Sequence, residues 1–239
     1  MTENNKDEFI EIARIKEEFI ANASHELKTP IASVRLAAES ALTSLERDDG
    51  MTKTFLEQIL RDSDRMNELI SDLLDLSAME SSDVFMETFD LHDVVANEIS
   101  YLSKQNKKRI RYKKKKVEIN ANFDDISLAV KNLIKNALKY SPPEENILIQ
   151  LEENDNSVRC SFQDFGSGIS KSDQEKIFER FYRVDKGRSR EQGGTGLGLS
   201  IVKHIMNRQR PFQKQQGFVF LTGSPGAHLA HRAVASQQM

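Results

Sequence analysis

A single cysteine, no tryptophan and only five prolines stand among the 239 residues. The lone Cys160 closes no internal disulfide, and no His/Cys cluster has the spacing of a zinc site. A reducing compartment is the natural setting, with Cys160 expected as a small buried residue. Aromatic residues are scarce at 7% while charged ones reach 30%, which favours helix-rich, well-solvated architecture over a β-sandwich. No stretch approaches the roughly 18 apolar residues that cross a bilayer, and the acidic start MTENNKDE is unlike a signal peptide, so the chain as given reads as soluble. The net charge of −3 speaks against a general nucleic-acid binder.

What is present divides into two modules. With 38% hydrophobic residues, the length accommodates two small domains, each with its own core. Glycine is absent from Asp7 to Leu45, and Ile20, Leu27, Ile31, Val34, Ala38 and Ala41 recur at helical spacing. They predict one long helix interrupted at Pro30, which removes an amide donor and crowds the preceding turn. Asp48-Asp49-Gly50 supplies turn chemistry before a second helix that runs to about Met79. In that helix Ile59, Met66 and Leu73 lie seven apart, as do Leu69 and Leu76, the narrow stripe of a helical bundle. A hairpin of this size buries too little apolar surface alone, whereas two copies in a four-helix bundle bury both stripes. A homodimer is therefore expected.

After a linker at residues 81–84, strands alternate with helices. Strands are expected at 85–91, in segments over 109–120, at 147–152 and at 158–163. Helices are expected at 92–105, 125–139 and 197–206. The fold class is thus α then α/β: a helical hairpin over 1–80, then an α/β sandwich over 85–206. The basic run 106–116, with eight Lys or Arg, is read as a solvated strand pair whose charges deter edge-to-edge aggregation. Only Tyr112 interleaves it, which is poor support for a nucleic-acid surface.

His25 lies two residues from Leu27, about 200° of helix rotation, so it points away from the apolar stripe and is expected to be exposed. A neutral imidazole there is a competent nucleophile toward a phosphoryl group, and Glu26 can accept the ring proton. A zinc-protease pattern fails, because Thr29 stands where a second histidine would be needed. Alone, His25 would pass for an ordinary surface histidine. With its flanks, Ser24-His25-Glu26-Leu27-Lys28-Thr29-Pro30 resembles the H-box of two-component sensor histidine kinases residue for residue. That resemblance implies autophosphorylation of His25, proton handling by Glu26, and a part for Thr29 in dephosphorylating the partner regulator.

No Gly-Lys dipeptide occurs and neither glycine cluster completes G-x-G-x-x-G, so any nucleotide site is of another type. Asn132, Asn136, Lys139 and Tyr140 fall at i, i+4, i+7 and i+8 of one helix and share a face. Amide oxygens suit Mg²⁺, a lysine suits phosphate, and a tyrosine ring can lie against a base or sugar; a polar outer face is the plainer reading. Asp164 ends a strand before Gly166 and Gly168, where a carboxylate can accept from an exocyclic amine such as adenine's. The run Gly193-Gly194-Thr195-Gly196-Leu197-Gly198 precedes a helix, so bare backbone can approach phosphates at a helix N-terminus. Between them Phe178, Phe181 and Tyr182 are expected to pack the base of a lid, with Arg183 and Arg188 free to reach phosphate.

In order and spacing these segments resemble the N, G1, F and G2 boxes of the histidine-kinase ATPase domain, a fold shared with Hsp90-type chaperones and type II topoisomerases. The resemblance implies ATP and Mg²⁺ as cofactors, with Asn136 on the metal and Asn132 and Lys139 near the phosphates. It places Asp164 on the adenine amine, Gly166 and Gly168 around its pocket, and Gly194, Gly196 and Gly198 at the lid hinge. A response-regulator receiver domain is the implied partner, and a membrane link would come only through an N-terminal sensor region. Full-length relatives of such cytoplasmic cores are often anchored in the inner membrane. A dimeric docking module without phosphotransfer, or an ATPase or serine kinase on the same nucleotide fold, are the other readings. Beyond Met206 the family pattern of two closing strands is abandoned: none of the 37 acidic residues lies there, and half of the twelve glutamines do. Residues 207–239 therefore read as foreign or out-of-frame sequence, with the C-terminal strands missing and only 217–222 able to form a strand.

Overall fold

The computed structural model describes residues 3–81, 83–154, 157–184, 194–209 and 217–223, without the side chains of 3–12, 15, 16, 80 and 217–223. Two compact units result. One holds the residues up to Asp75 together with Gly194 and Thr195; the other holds the described residues from Leu76 to Val184 and from Gly196 onward.

The first unit is built from α1 (Glu3–Arg47) and most of α2 (Thr52–Ser81). The expected interruption at Pro30 does not divide α1, which runs as one helix of 45 residues with Pro30 inside it and buried. In so long a helix a single missing amide donor is outweighed by the turns on either side. The reversal between the helices rests on Asp48 and Gly50 in left-handed conformation, at φ 52° and 71°. The Asp49 carboxylate accepts from the Ser44 hydroxyl and from the Met51 amide at 3.0 Å. These bonds, the Ser44 one foremost, hold its carboxyl below the usual range. Small side chains on α1, Ala37 and Ala41, are buried, as is Leu69 of α2.

The second unit begins with the last turn of α2, where Leu76 and Met79 are buried and the Arg208 guanidinium donates to the Met79 carbonyl. It continues as β1 (Glu87–Asp90), α3 (Leu91–Ser100), α4 (Lys104–Arg109), β2 (Ile110–Tyr112), β3 (Glu118–Ala121) and α5 (Phe123–Tyr140). Next come β4 (Ile147–Asn154), β5 (Ser157–Gln163), a 3-10 turn at Lys176–Phe178, α6 (Gly198–Gln209) and β6 (Gly217–Gly223). The four-stranded sheet has the order β2-β4-β5-β6, with β4 and β5 antiparallel and the outer pairs parallel; β1 and β3 form a separate antiparallel pair. Alternate residues Ile147, Ile149 and Leu151 of β4 and Val158, Cys160 and Phe162 of β5 are buried, the period-2 signature of a half-covered sheet. Apolar stripes on α3, α5 and α6, including Val94, Ile126, Leu133 and Ile201, are buried too, and α5 packs against both α3 and α6. Cys160 is fully buried, which pushes its thiol pKa well up, so it is an inert packing residue.

Three expectations need correction. The single helix over 92–105 is two helices, because Ser103 accepts from the Asn106 amide and caps a new start. The basic run is not a strand pair: it holds the end of α4, then β2 in one sheet, then a connection to β3 in the other. Lastly, the sheet does not lack every C-terminal strand. β6 lies parallel to β5 in register from Ser157↔Gly217 to Gln163↔Gly223. The segment Gly217-Phe-Val-Phe-Leu-Thr-Gly223 is rich in β-branched and aromatic residues, so an unpaired β5 edge and a β-prone stretch satisfy each other. Nor does the departure at 206 end α6, which reaches Gln209 with that side chain fully buried. Gln209 donates to Asp125 at 2.8 Å and accepts the Asn122 amide at 3.2 Å. The rest of the tail lies outside the described residues.

Candidate nucleotide and phospho-acceptor sites

In the hairpin, His25 is exposed on α1, as its rotation away from Leu27 requires. Glu26 is held: its carboxylate accepts from the Arg65 guanidinium of α2 at 3.0 Å, and the two side chains are only 24% and 13% exposed. Nothing in the spacing of α2 pointed to Arg65. Thr29 is half-buried, and its hydroxyl donates to the His25 carbonyl one turn back at 3.3 Å.

In the second unit, α5 starts at an Asn122 cap whose side chain accepts the Asp125 amide at 2.9 Å. The four polar residues on α5 run from buried to exposed along the helix: Asn132 is buried, Asn136 and Lys139 half-buried, and Tyr140 is 50% exposed with the Lys139 ammonium 5.2 Å from its ring centre. A merely solvated face would not bury Asn132. Its amide nitrogen donates to the Leu128 carbonyl at 2.9 Å, which leaves Oδ1 directed elsewhere. That oxygen sits 2.8 Å from where a Cβ on Gly198 would stand, and the Asn136 amide is 3.8 Å from the same point. A larger first residue in α6 would push the Asn132 side chain aside, so glycine there lets the start of that helix lie against both asparagines.

The Asp164 loop docks on the other end of α5. The Ser141 hydroxyl accepts the Phe165 amide at 2.9 Å, and a Cβ on Gly166 would stand 2.6 Å from the Tyr140 carbonyl. Asp164 is half-buried and accepts the Gly166 amide at 2.9 Å. Gly168 turns at φ 74° with open space around it. Gly196 at φ 75° is pressed on the backbone of Phe181, whose own amide donates to the Gly196 carbonyl at 3.0 Å. Phe181 is left-handed at φ 64°, a costly conformation for an aromatic residue that this contact imposes. Tyr182 donates to Asp173 at 2.6 Å, and Arg183 is half-buried. Gly194, at φ 122°, groups with the first unit, and Arg188 lies outside the described residues.

Asn132, Asn136 and Gly198 thus share one place, Asp164, Gly166 and Tyr140 a second, and Phe181 and Gly196 a third. Spacing along the chain had named these residues; Ser141, which ties the second group together, it missed.

A helical hairpin followed by an α/β module of this topology defines a class of protein, and known proteins agree. Residues 15–82 match the family model of the His Kinase A (phospho-acceptor) domain, and residues 121–226 match the histidine kinase-, DNA gyrase B-, and HSP90-like ATPase. The chain belongs to the two-component sensor histidine kinases and corresponds to their cytoplasmic core. It is 32% identical over 214 residues to the sensor-like histidine kinase SenX3 of Mycolicibacterium smegmatis, covering 84% of this chain and 54% of that one. To the sensor histidine kinase WalK of Bacillus subtilis it is 34% identical over 199 residues, covering 80% and 33%. The chain therefore spans between a third and just over half of these relatives. Among solved structures, a histidine kinase ThkA in complex with response regulator protein TrrA superposes with TM-score 0.66 at 20% identity, over 92% of this chain and 62% of that one. The Acinetobacter baumannii histidine kinase AdeS gives 0.59 at 22%, over 83% and 91%. Both share the fold. No helix among the described residues is long and apolar enough to cross a membrane.

Proposed function

We propose that this chain transfers the γ-phosphoryl group of Mg·ATP to a ring nitrogen of His25 and passes it to an aspartate of a separate response regulator. The observation that carries the reading is the convergence of Asn132 and Asn136 on Gly198, at the N-terminus of a twelve-residue helix whose free amides favour phosphate. Asp164, on a loop held to the far end of α5, then reads the adenine amine, and Gly166 and Gly168 shape its pocket. Asn132 and Lys139 lie along the phosphates, and Arg183 reaches toward them. A side-chain amide oxygen is a suitable hard donor for Mg²⁺, which typically takes few protein ligands beside phosphate oxygens, so Asn136 fits as its holder. The metal supplies charge neutralisation on the transferring group.

At His25 the unprotonated ring nitrogen attacks the γ-phosphorus. The bond to the bridging oxygen breaks and ADP leaves with that electron pair. Glu26, fixed by Arg65, accepts the proton from the other ring nitrogen, and Thr29 acts when the regulator is dephosphorylated. Full-length ShkA in complex with AMPPNP, similar in fold at TM-score 0.52 and 20% identity, holds an ATP analogue, which supports the nucleotide reading here. Two copies pair through the outer apolar row of the hairpin, where Leu56, Leu60, Ile70 and Leu74 are exposed.

Incubation with γ-labelled Mg·ATP tests the reading. Acid-labile label on the wild-type chain and none on His25→Gln is expected. Acid-stable phosphate would mean a serine kinase, and no phosphate at all a docking module.

A further inference from the structure

Arg109 lies between the end of α4 and the buried start of β2, so its backbone is held on both sides. Among the described residues its guanidinium spans four main-chain carbonyls. Nε donates to Glu145 at 3.1 Å, Nη1 to Leu138 at 3.3 Å, and Nη2 to Ser141 at 3.2 Å and Pro142 at 2.8 Å. These are carbonyls of the last turn of α5 and the turn that follows, groups a helix end leaves unsatisfied at its negative pole. A planar fork with five donors fits them where an ammonium would reach one or two.

The same few residues carry the base site. Ser141, whose carbonyl Arg109 binds, is buried and accepts the Phe165 amide through its hydroxyl. Tyr140, one residue before it, presents the carbonyl on which Gly166 is seated. We infer that Arg109 is a positioning residue for nucleotide recognition: it clamps the end of α5 so that the Asp164–Gly166 loop stands in fixed register with Asn132 and Asn136. This inference rests on the ATP-site reading above.

The test uses the full chain and two nucleotides, Mg·ATP and inosine triphosphate, whose base carries an oxo group in place of the amine. Binding of each is measured by calorimetry well below the melting temperature, which is recorded in parallel. Arg109→Met is expected to weaken ATP by about tenfold and to draw the ATP-to-inosine ratio toward one, on the scale of a lost charge-assisted hydrogen bond. Arg109→Lys should fall between, and Ser141→Ala should lower the ratio by removing the hydroxyl link alone. If Arg109→Met does not fold, the ratio is read on the latter two. A lowered melting temperature with the ratio intact overturns the inference and leaves Arg109 a structural clasp. Failure of the unsubstituted chain to bind ATP overturns the site reading itself and this inference with it.

Discussion

The hairpin and the ATPase module treat apolar side chains in opposite ways. Among the described residues up to Asp75, Pro30, Ala37, Ala41 and Leu69 are the buried apolar ones, while ten large ones from Ile20 to Leu74 are exposed. Among the described residues from Leu76 onward the proportion reverses: a core runs through α3, α5, α6, β4 and β5, and Phe85, Tyr101, Tyr140 and Val184 are the large apolar side chains left exposed. Burying a leucine fully is worth about 1.5–3 kcal/mol. The ATPase module collects that stabilisation within one chain, whereas the hairpin leaves it uncollected on its exposed face. The proposed chemistry divides the same way, with the exposed His25 on one unit and the cluster of Asn132, Asn136 and Gly198 in the other.

The sharpest break in that division is His25→Gln. It should abolish phosphorylation while calorimetric ATP affinity stays at the wild-type value; Asn136→Ala should do the reverse at source, removing Mg·ATP binding and label together. If His25→Gln lost nucleotide affinity as well, the two functions would not be separable. The stability contrast comes next. Leu133→Ala, in the fully buried face of α5, should cost about 2–5 kcal/mol by denaturant melting, whereas Leu60→Gln, on a side chain 65% exposed, should leave that transition alone and shift the sedimentation of the chain from dimer toward monomer.

A third prediction concerns the edge of the ATPase sheet. Deleting residues 210–239 removes β6 and uncovers the β5 edge, so the ATPase transition should drop by several degrees, about 2–4 °C for each kcal/mol lost. An unchanged melting curve would show that β6 contributes nothing. Within the hairpin, Arg65→Ala should slow phosphorylation by about tenfold without altering ATP affinity, since a charge-assisted bond to Glu26 is lost; an unchanged rate would remove Glu26 orientation from the mechanism.

The smallest effect is one of pH. Burial pushes the Asp90 carboxyl up, but the Val117 and His92 amides it accepts outweigh that, so its folded pKa lies below the ordinary value of about 3.9. The unfolded chain then binds more protons near that value. Stability from Asp90 is complete above the ordinary range and is lost as pH falls through the lowered folded value. Asp90→Ala should cost about 1 kcal/mol at neutral pH, as a lost helix cap, and flatten the acid limb of the melting profile.

Much of this protein was legible along the chain because its signals are local. Helical spacing, the Asp48-Asp49-Gly50 turn, the alternation in β4 and β5, and the set around His25, Asn132, Asn136, Asp164 and Gly198 all depend on neighbours within a few residues. Other features depend on partners far off in sequence. Arg65 meets Glu26 across 39 positions, Arg109 reaches carbonyls 29 to 36 positions on, and Gln209 answers Asp125 across 84. Composition marked the region after Met206 as alien, yet Gly217–Gly223 occupies a sheet edge and lies within the 121–226 match to the ATPase family, because β-branched and aromatic residues beside an open edge form a strand whatever the composition around them. Sequence alone determined which residues are candidates for the chemistry and on which element most of them would sit. Only tertiary structure decided which of them meet, since a hydrogen bond or a steric limit such as the 2.8 Å between a Gly198 Cβ and Asn132 exists only once distant segments are packed together.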